Sequence, residues 1–120
     1  MNKLEEMLRQ REAADERLEK DAPDLYHGFK SLVKYYYKPG ALSRREKELM
    51  AVAVSVGTRC ITCLGHHANN AVAAGASREQ VIEAAAIGVE FGGGPSFVMV
   101  RENLLPMLDD MPVTVLAKAH

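Results

Sequence analysis

The chain has 120 residues, 48% hydrophobic and 26% charged, a length that suits one domain with its own core and is short for two. Fifteen basic against 16 acidic side chains leave a formal net charge of -1, without the basic excess by which phosphate-binding proteins hold nucleic acid, so no nucleic-acid partner is expected. No run approaches the ~20 apolar residues of a membrane span, and the charged opening MNKLEEMLRQREAADERLEK has no apolar signal core. The expected setting is the cytoplasm, away from any membrane.

Helix formers fill residues 3–20, with a thin stripe at Leu4, Leu8, Arg11, Ala14 and Leu18, and Pro23 ends the segment. A second helix over 24–37 places Leu25, Phe29, Leu32, Val33 and Tyr36 at 3–4 spacing, a pattern that predicts a covered face. Pro39-Gly40 is a turn. Ser43-Arg-Arg-Glu46 is a capping box opening a helix through LMAVAVSV to Gly57. A short helix from about 59 to 74 stops at Gly75, and Ser77-Arg-Glu-Gln80 is a second capping box opening 77–91. Gly92-Gly93-Gly94 breaks that helix, and Pro95 begins a last one over 95–109, which Pro106 should kink or end early. Eleven of the fifteen basic residues and ten of the sixteen acidic ones fall within residues 1–48, whereas 49–100 is rich in Ala, Val and Gly. The expectation is an all-α bundle of about six helices, a polar N-terminal layer over a tightly packed core. The small residues Ala71–Ala74, Ala84–Ala86 and Gly88 allow close helix approach, including against a second copy of the chain.

The chemistry concentrates in Thr58-Arg-Cys60-Ile-Thr-Cys63-Leu-Gly-His66-His67. Two cysteines alone, three positions apart, suit a catalytic or metal-binding pair in a reducing compartment better than a secreted disulfide scaffold. With Thr58 as cap, Cys60 falls in the first helical turn and Cys63 one turn later, their Cα atoms about 5 Å apart and within disulfide reach. The helix N-terminus lowers thiol pKa values there, which matters because the thiolate is the nucleophile. His67 lies four residues after Cys63 on the same face, where an imidazole can take a thiol proton. His66 points toward the Asn69–Asn70 side and is expected to be structural. Glu48 has two readings. It shares a face with Val52 and Val56, which leads inward and would raise its pKa toward a proton-shuttling range; it is also spaced i,i+4 from Arg44 for a solvated ion pair. Which cysteine attacks is likewise open, since the helix dipole favours Cys60 and the imidazole favours Cys63.

Glu48, eleven intervening residues, then Cys60-x-x-Cys63-x-x-x-His67 resembles the signature of alkylhydroperoxidase D-like proteins of the carboxymuconolactone decarboxylase superfamily. The resemblance spans roughly residues 25–108 and leaves the N-terminal 20 residues outside. It implies an all-helical subunit of a symmetric homo-oligomer, a trimer or a hexamer built as a trimer of dimers. It also implies a thiol peroxidase acting on organic hydroperoxides, with Cys63 attacking, Cys60 resolving, and Glu48 and His67 relaying protons. A dithiol such as dihydrolipoamide, or a thioredoxin-like donor, would reduce the enzyme, and no cofactor or metal is required. The family histidine that often precedes the second cysteine is Thr62 here, and the chain holds one structural repeat where longer relatives have two.

Rival readings use the same residues. Zinc would find three ligands in Cys60, Cys63 and a histidine but lacks a fourth, with His27 and His120 isolated. Haem attachment needs CxxCH, and Leu64 follows Cys63. A lyase, as in the superfamily's namesake, would leave the cysteine pair unexplained, and a redox sensor would use the disulfide without rapid turnover. Lys30, Lys34 and Lys38 form a solvated row, Tyr35-Tyr36-Tyr37 suits packing with a hydroxyl able to edge a pocket, and Arg59 could favour a thiolate or pair at the surface.

Overall fold

Asn2 starts the first helix, its side-chain oxygen accepting the Glu5 backbone N–H at 2.7 Å. In the computed structural model, which describes residues 2–114, α1 (Lys3–Asp21) is followed after one residue by α2 (Pro23–Tyr37). Pro23 explains both boundaries, because it has no N–H to continue α1 and its fixed φ suits the first position of α2. The two form a hairpin tied by Glu19 to His27 at 3.3 Å and by Asp15 to Lys30 at 3.9 Å.

Of the α1 stripe, only Leu4 and Leu8 are buried. The α2 stripe corrects the sequence-based expectation more sharply: no α2 residue is fully buried, and Leu25 and Phe29 are 63% and 59% exposed. The inward face is instead Tyr26, Lys30, Val33 and Tyr37, one residue further round the helix. Lys30 fits there because its aliphatic stem can lie inward while its ammonium reaches Asp15 and the Tyr26 ring.

Both capping boxes form as expected. Ser43 and Glu46 exchange bonds of 3.1 and 2.8 Å at the start of α3 (Arg44–Gly57), and Ser77 and Gln80 do so at α5 (Arg78–Gly92) with 3.1 and 3.0 Å. Between them, α4 (Ile61–Ala73) ends at a turn where Gly75 takes a φ of 101°. After Gly93 the chain continues as α6 (Gly94–Met99), a π-helical turn (Val100–Leu104) and α7 (Leu105–Leu108). Pro106 thus neither simply kinks nor ends the last helix. The preceding turn widens, with the Leu105 N–H reaching back to Val100 O, which makes room for the proline ring against the carbonyl four residues earlier.

The core lies where α3 packs between α4 and α5, on Val52, Val56, Leu64, Ala68, Val81 and Ala85. Gly88 is needed there: a Cβ on it would overlap the Ala53 carbonyl and come within 2.7 Å of Val56 Cβ. Of the small residues at 71–74 and 84–88, Ala71, Ala85 and Gly88 serve contacts within the chain, whereas Ala73, Ala74 and Ala86 are exposed. Ser96, also fully buried, donates to Val56 O at 2.6 Å and satisfies a carbonyl in the last turn of α3.

Candidate functional site

The link between α3 and α4 sets the site. Arg59 adopts a left-handed φ of 57°, a conformation that costs a non-glycine residue about 1 kcal/mol or more. The bend is held by its N–H on Val56 O at 3.2 Å, by its guanidinium on Gly92 O at 3.1 Å, and by the Cys60 N–H on Ser55 O at 3.0 Å. Arg59 therefore anchors the α5 end, a role distinct from thiolate support or surface ion pairing.

Cys60 is the N-cap of α4, one position outside the first turn expected from a Thr58 cap; Thr58 closes α3 instead. The reason is the Arg59 bend, which restarts the helix two residues later. Cys60 Sγ accepts the Cys63 backbone N–H at 3.3 Å, so sulfur does the work usually done by a capping oxygen. The two cysteines are joined as a disulfide with Cα atoms 5.2 Å apart. Both sit at the positive end of α4, where a thiolate is favoured. Thr62, at the place of the family histidine, brings its hydroxyl 3.7 Å from Cys60 Sγ.

Glu48 points inward and still meets Arg44, so the ion pair forms without the solvation expected of it. Its side chain is completely buried. Oε1 accepts from His67 Nδ1 at 2.7 Å, and Oε2 lies 3.6 Å from the Arg44 guanidinium. A buried carboxylate needs such partners, because an uncompensated charge away from water is very costly. The bond to Nδ1 fixes the orientation of the His67 ring. Tyr37 stacks on the same ring, centroids 5.3 Å apart at 21°. Burial, then the charge of Glu48, push its phenol above the usual range, which keeps it protonated. The face that α2 turns inward, 26–30–33–37, is what separates this tyrosine from Tyr35 and Tyr36.

A largely apolar groove of about 460 Å³ opens over these groups. Tyr36 and Tyr37 of α2, Met50, Ala51 and Val54 of α3, and Cys63 and His67 of α4 line it. Of the two cysteines, Cys63 lines it. His66 faces the other way, its Nε2 3.3 Å from Asn70 Nδ2, in keeping with the side assigned to it from sequence. Among the described residues no group of three His, Cys, Asp or Glu side chains is placed to hold a metal ion; His27 pairs with Glu19, and His120 lies outside those residues. Nor is any described helix long and apolar enough to cross a membrane.

Known proteins share this arrangement of helices. The chain is 37% identical over 82 residues to an uncharacterized protein of Cupriavidus necator, an overlap of 68% of this chain and 73% of that one. It is 35% identical over 83 residues to a protein of the cox locus of Paracoccus denitrificans, covering 69% and 74%. Its fold superposes on a carboxymuconolactone decarboxylase family protein of Legionella pneumophila with a TM-score of 0.85 and 31% identity, over 94% of this chain and 100% of that one. A Thermotoga maritima member of the same family, for which a part in an antioxidative response has been suggested, gives 0.75 and 27%, over 92% and 99%. The family pattern itself matches residues 23–102, beginning at the proline that opens α2 and so excluding α1. The chain belongs to the carboxymuconolactone decarboxylase family.

Proposed function

We propose that the protein is a thiol peroxidase that reduces organic hydroperoxides through the Cys60–Cys63 pair. One observation carries this reading: Cys63 and His67 line the same apolar groove, the His67 ring is held by the buried Glu48, and Cys60 is disulfide-bonded to Cys63. An apolar groove suits the carbon portion of an alkyl hydroperoxide better than hydrogen peroxide.

The Cys63 thiolate attacks the outer peroxide oxygen. An S–O bond forms, the O–O bond breaks, and the departing alkoxide takes a proton from His67 to leave as an alcohol. Glu48 stabilises the imidazolium between these events. The Cys60 thiol then attacks the sulfenic sulfur, its proton leaving with the hydroxyl as water, and the disulfide closes. A dithiol donor, dihydrolipoamide or a thioredoxin-like protein, supplies two electrons and restores both thiols. The suggestion of an antioxidative role for the Thermotoga maritima relative agrees with this chemistry. The working form is a homo-oligomer, trimer or hexamer, in a reducing cytoplasmic compartment. Support for assembly comes from the exposed apolar side chains of α2 together with Met50, Val54, Ile87 and Phe91, the last 80% exposed.

The test is a thiol count on the reduced protein before and after one equivalent of cumene hydroperoxide. Both thiols should disappear rapidly and return on adding dihydrolipoamide. Cys63→Ser should abolish peroxide consumption, whereas Cys60→Ser should react once and leave a sulfenic acid that dimedone traps. Thiols that persist for hours would overturn the peroxidase. Decarboxylation of a lactone, with both cysteines changed to serine, would then be the reaction to assay.

A further inference from the structure

Polarity is unevenly placed along the groove beside Cys63. On α3 and its cap the lining residues are Lys47, Met50, Ala51, Val54, Ser55 and Thr58, a stripe of three- and four-residue steps. It runs for about 16 Å at 1.5 Å per residue. The hydroxyls at one end are already used, since Ser55 Oγ donates to Ala51 O at 2.7 Å and Thr58 Oγ1 to Val54 O at 2.8 Å. Lys47 stands at the other end. Among the described residues that line the groove it is the one lysine or arginine, and no Asp or Glu is there.

Its ammonium has a fixed position and spare capacity. Lys47 is half-buried, and its Nζ donates at 2.6 Å to Lys38 O, the carbonyl just beyond Tyr37, so the charge sits at the α2 side of the groove. One carbonyl takes one of the three N–H donors of an ammonium. The nearby Glu48 carboxylate is held by Arg44 and His67, and no ion pair among the described residues includes Lys47.

The hairpin of α3 and α4 sets the distance from this charge to the reacting sulfur. The Cys60 N–H meets Ser55 O and His67 meets Glu48, so α4 runs back along α3 and Cys63 comes level with Val52. Lys47 is five residues from that level, about 8 Å along the axis. A peroxide oxygen on Cys63 therefore leaves several methylenes of chain to cross Met50 and Ala51 before a head group meets Lys47. An apolar groove ending in a fixed cation suits a molecule that is apolar along its length and anionic at one end.

We propose that the groove selects hydroperoxides with a carboxylate at the end of an apolar chain, fatty-acid hydroperoxides in chemical class, and that Lys47 holds the carboxylate. Lys47 touches no reacting atom; it sets where along the groove the chain lies, and so which carbon presents its peroxide to Cys63. This specificity rests on the peroxidase reading and narrows its substrate.

The experiment measures the second-order rate of thiol loss from reduced protein with linoleic acid hydroperoxide and with its methyl ester, below micelle-forming concentrations. Wild type should favour the acid by about tenfold. Lys47→Met should bring the ratio near one and Lys47→Arg should keep most of it; a general loss of reactivity cancels in the ratio. Equal rates in wild type would overturn the proposal, as would a preference that survives in Lys47→Met. Ligand binding to the disulfide form needs no peroxide and separates the two readings. By calorimetry the oxidised protein should bind decanoate about tenfold more tightly than decanol, and Lys47→Met should erase the difference. That preference beside unreactive thiols would uphold the carboxylate site and remove the peroxidase. Rapid hydroperoxide consumption without any preference would do the reverse.

Discussion

α2 and α3 are of nearly equal length, 15 and 14 residues, and both carry apolar side chains every third or fourth position. They meet opposite fates. α3 is packed by α4, α5 and α6 and buries Glu48, Val52, Ser55 and Val56. α2 turns inward through Tyr26, Lys30, Val33 and Tyr37, all half-buried, and leaves Leu25, Phe29, Leu32 and Tyr36 outside. Apolar periodicity says that a face favours cover; it does not say whether the cover comes from the same chain. Enclosure is also what lets α3 hold a carboxylate away from water, since His67 and Arg44 reach it from fixed positions. α2 contributes to the same site from outside, as the wall that carries Tyr37.

If enclosure matters to the chemistry, Glu48 is where the largest effect should appear. Glu48→Gln keeps an oxygen for His67 and nearly the same volume, so the fold should survive. Losing the charge that stabilises the imidazolium should slow hydroperoxide-driven thiol loss by about 10²-fold. An unchanged rate with an intact fold would reduce Glu48 to an anchor for Arg44 and His67.

The contrast in packing is tested by one substitution made twice. Gly88→Ala on α5 pushes a methyl into the Ala53 carbonyl and Val56, and should cost about 3 kcal/mol or prevent folding. Gly28→Ala on α2 meets nothing within 4 Å and should stabilise by about 0.5–1 kcal/mol through helix propensity. Denaturation midpoints should move in opposite directions; equal shifts would mean that α2 and α5 are packed alike at these positions.

The outer face of α2 offers a third test. Phe29→Glu places a charge among Leu25, Leu32 and Tyr36 without touching the buried core. Sedimentation should show a lower mass with helicity unchanged. A mass equal to wild type would mean that this face does not hold copies together.

What could be read in advance depended on range. The capping boxes at Ser43 and Ser77 were legible because a cap is settled within four residues. The partner of Glu48 was only half legible: helical spacing put His67 on the face of Cys63 but left Glu48 between an inward and a solvated position, and the choice comes from the packing that buries it against His67. The rotation of α2 was not legible, because the choice between Phe29 and Lys30 is made by α1, where Asp15 waits for the ammonium. Nor was the shift of Cys60 to the cap, which follows from a left-handed Arg59 that arginine does nothing to announce. The small residues of α5 showed close approach correctly but not its partner, which is α3.

Tyr37, which brings α2 to the site held by α3, should give the smallest effect. Its phenol has a pKa above the ordinary 10.0, chiefly through burial and secondly through the charge of Glu48. The folded state thus favours the protonated form. That contribution is fully present below the unfolded pKa near 10 and is lost as pH rises through the higher folded value. Tyr37→Phe keeps the ring that stacks on His67 and removes the titrating proton. Urea midpoints followed from neutral to strongly alkaline pH should therefore fall less steeply above about pH 10 in the variant than in wild type. The difference should be modest, because Tyr37 is half-exposed and solvent screens the charge it would acquire. Parallel curves would mean that α2 leaves this phenol as well solvated as in the unfolded chain, and that the α2 wall of the site is open to water.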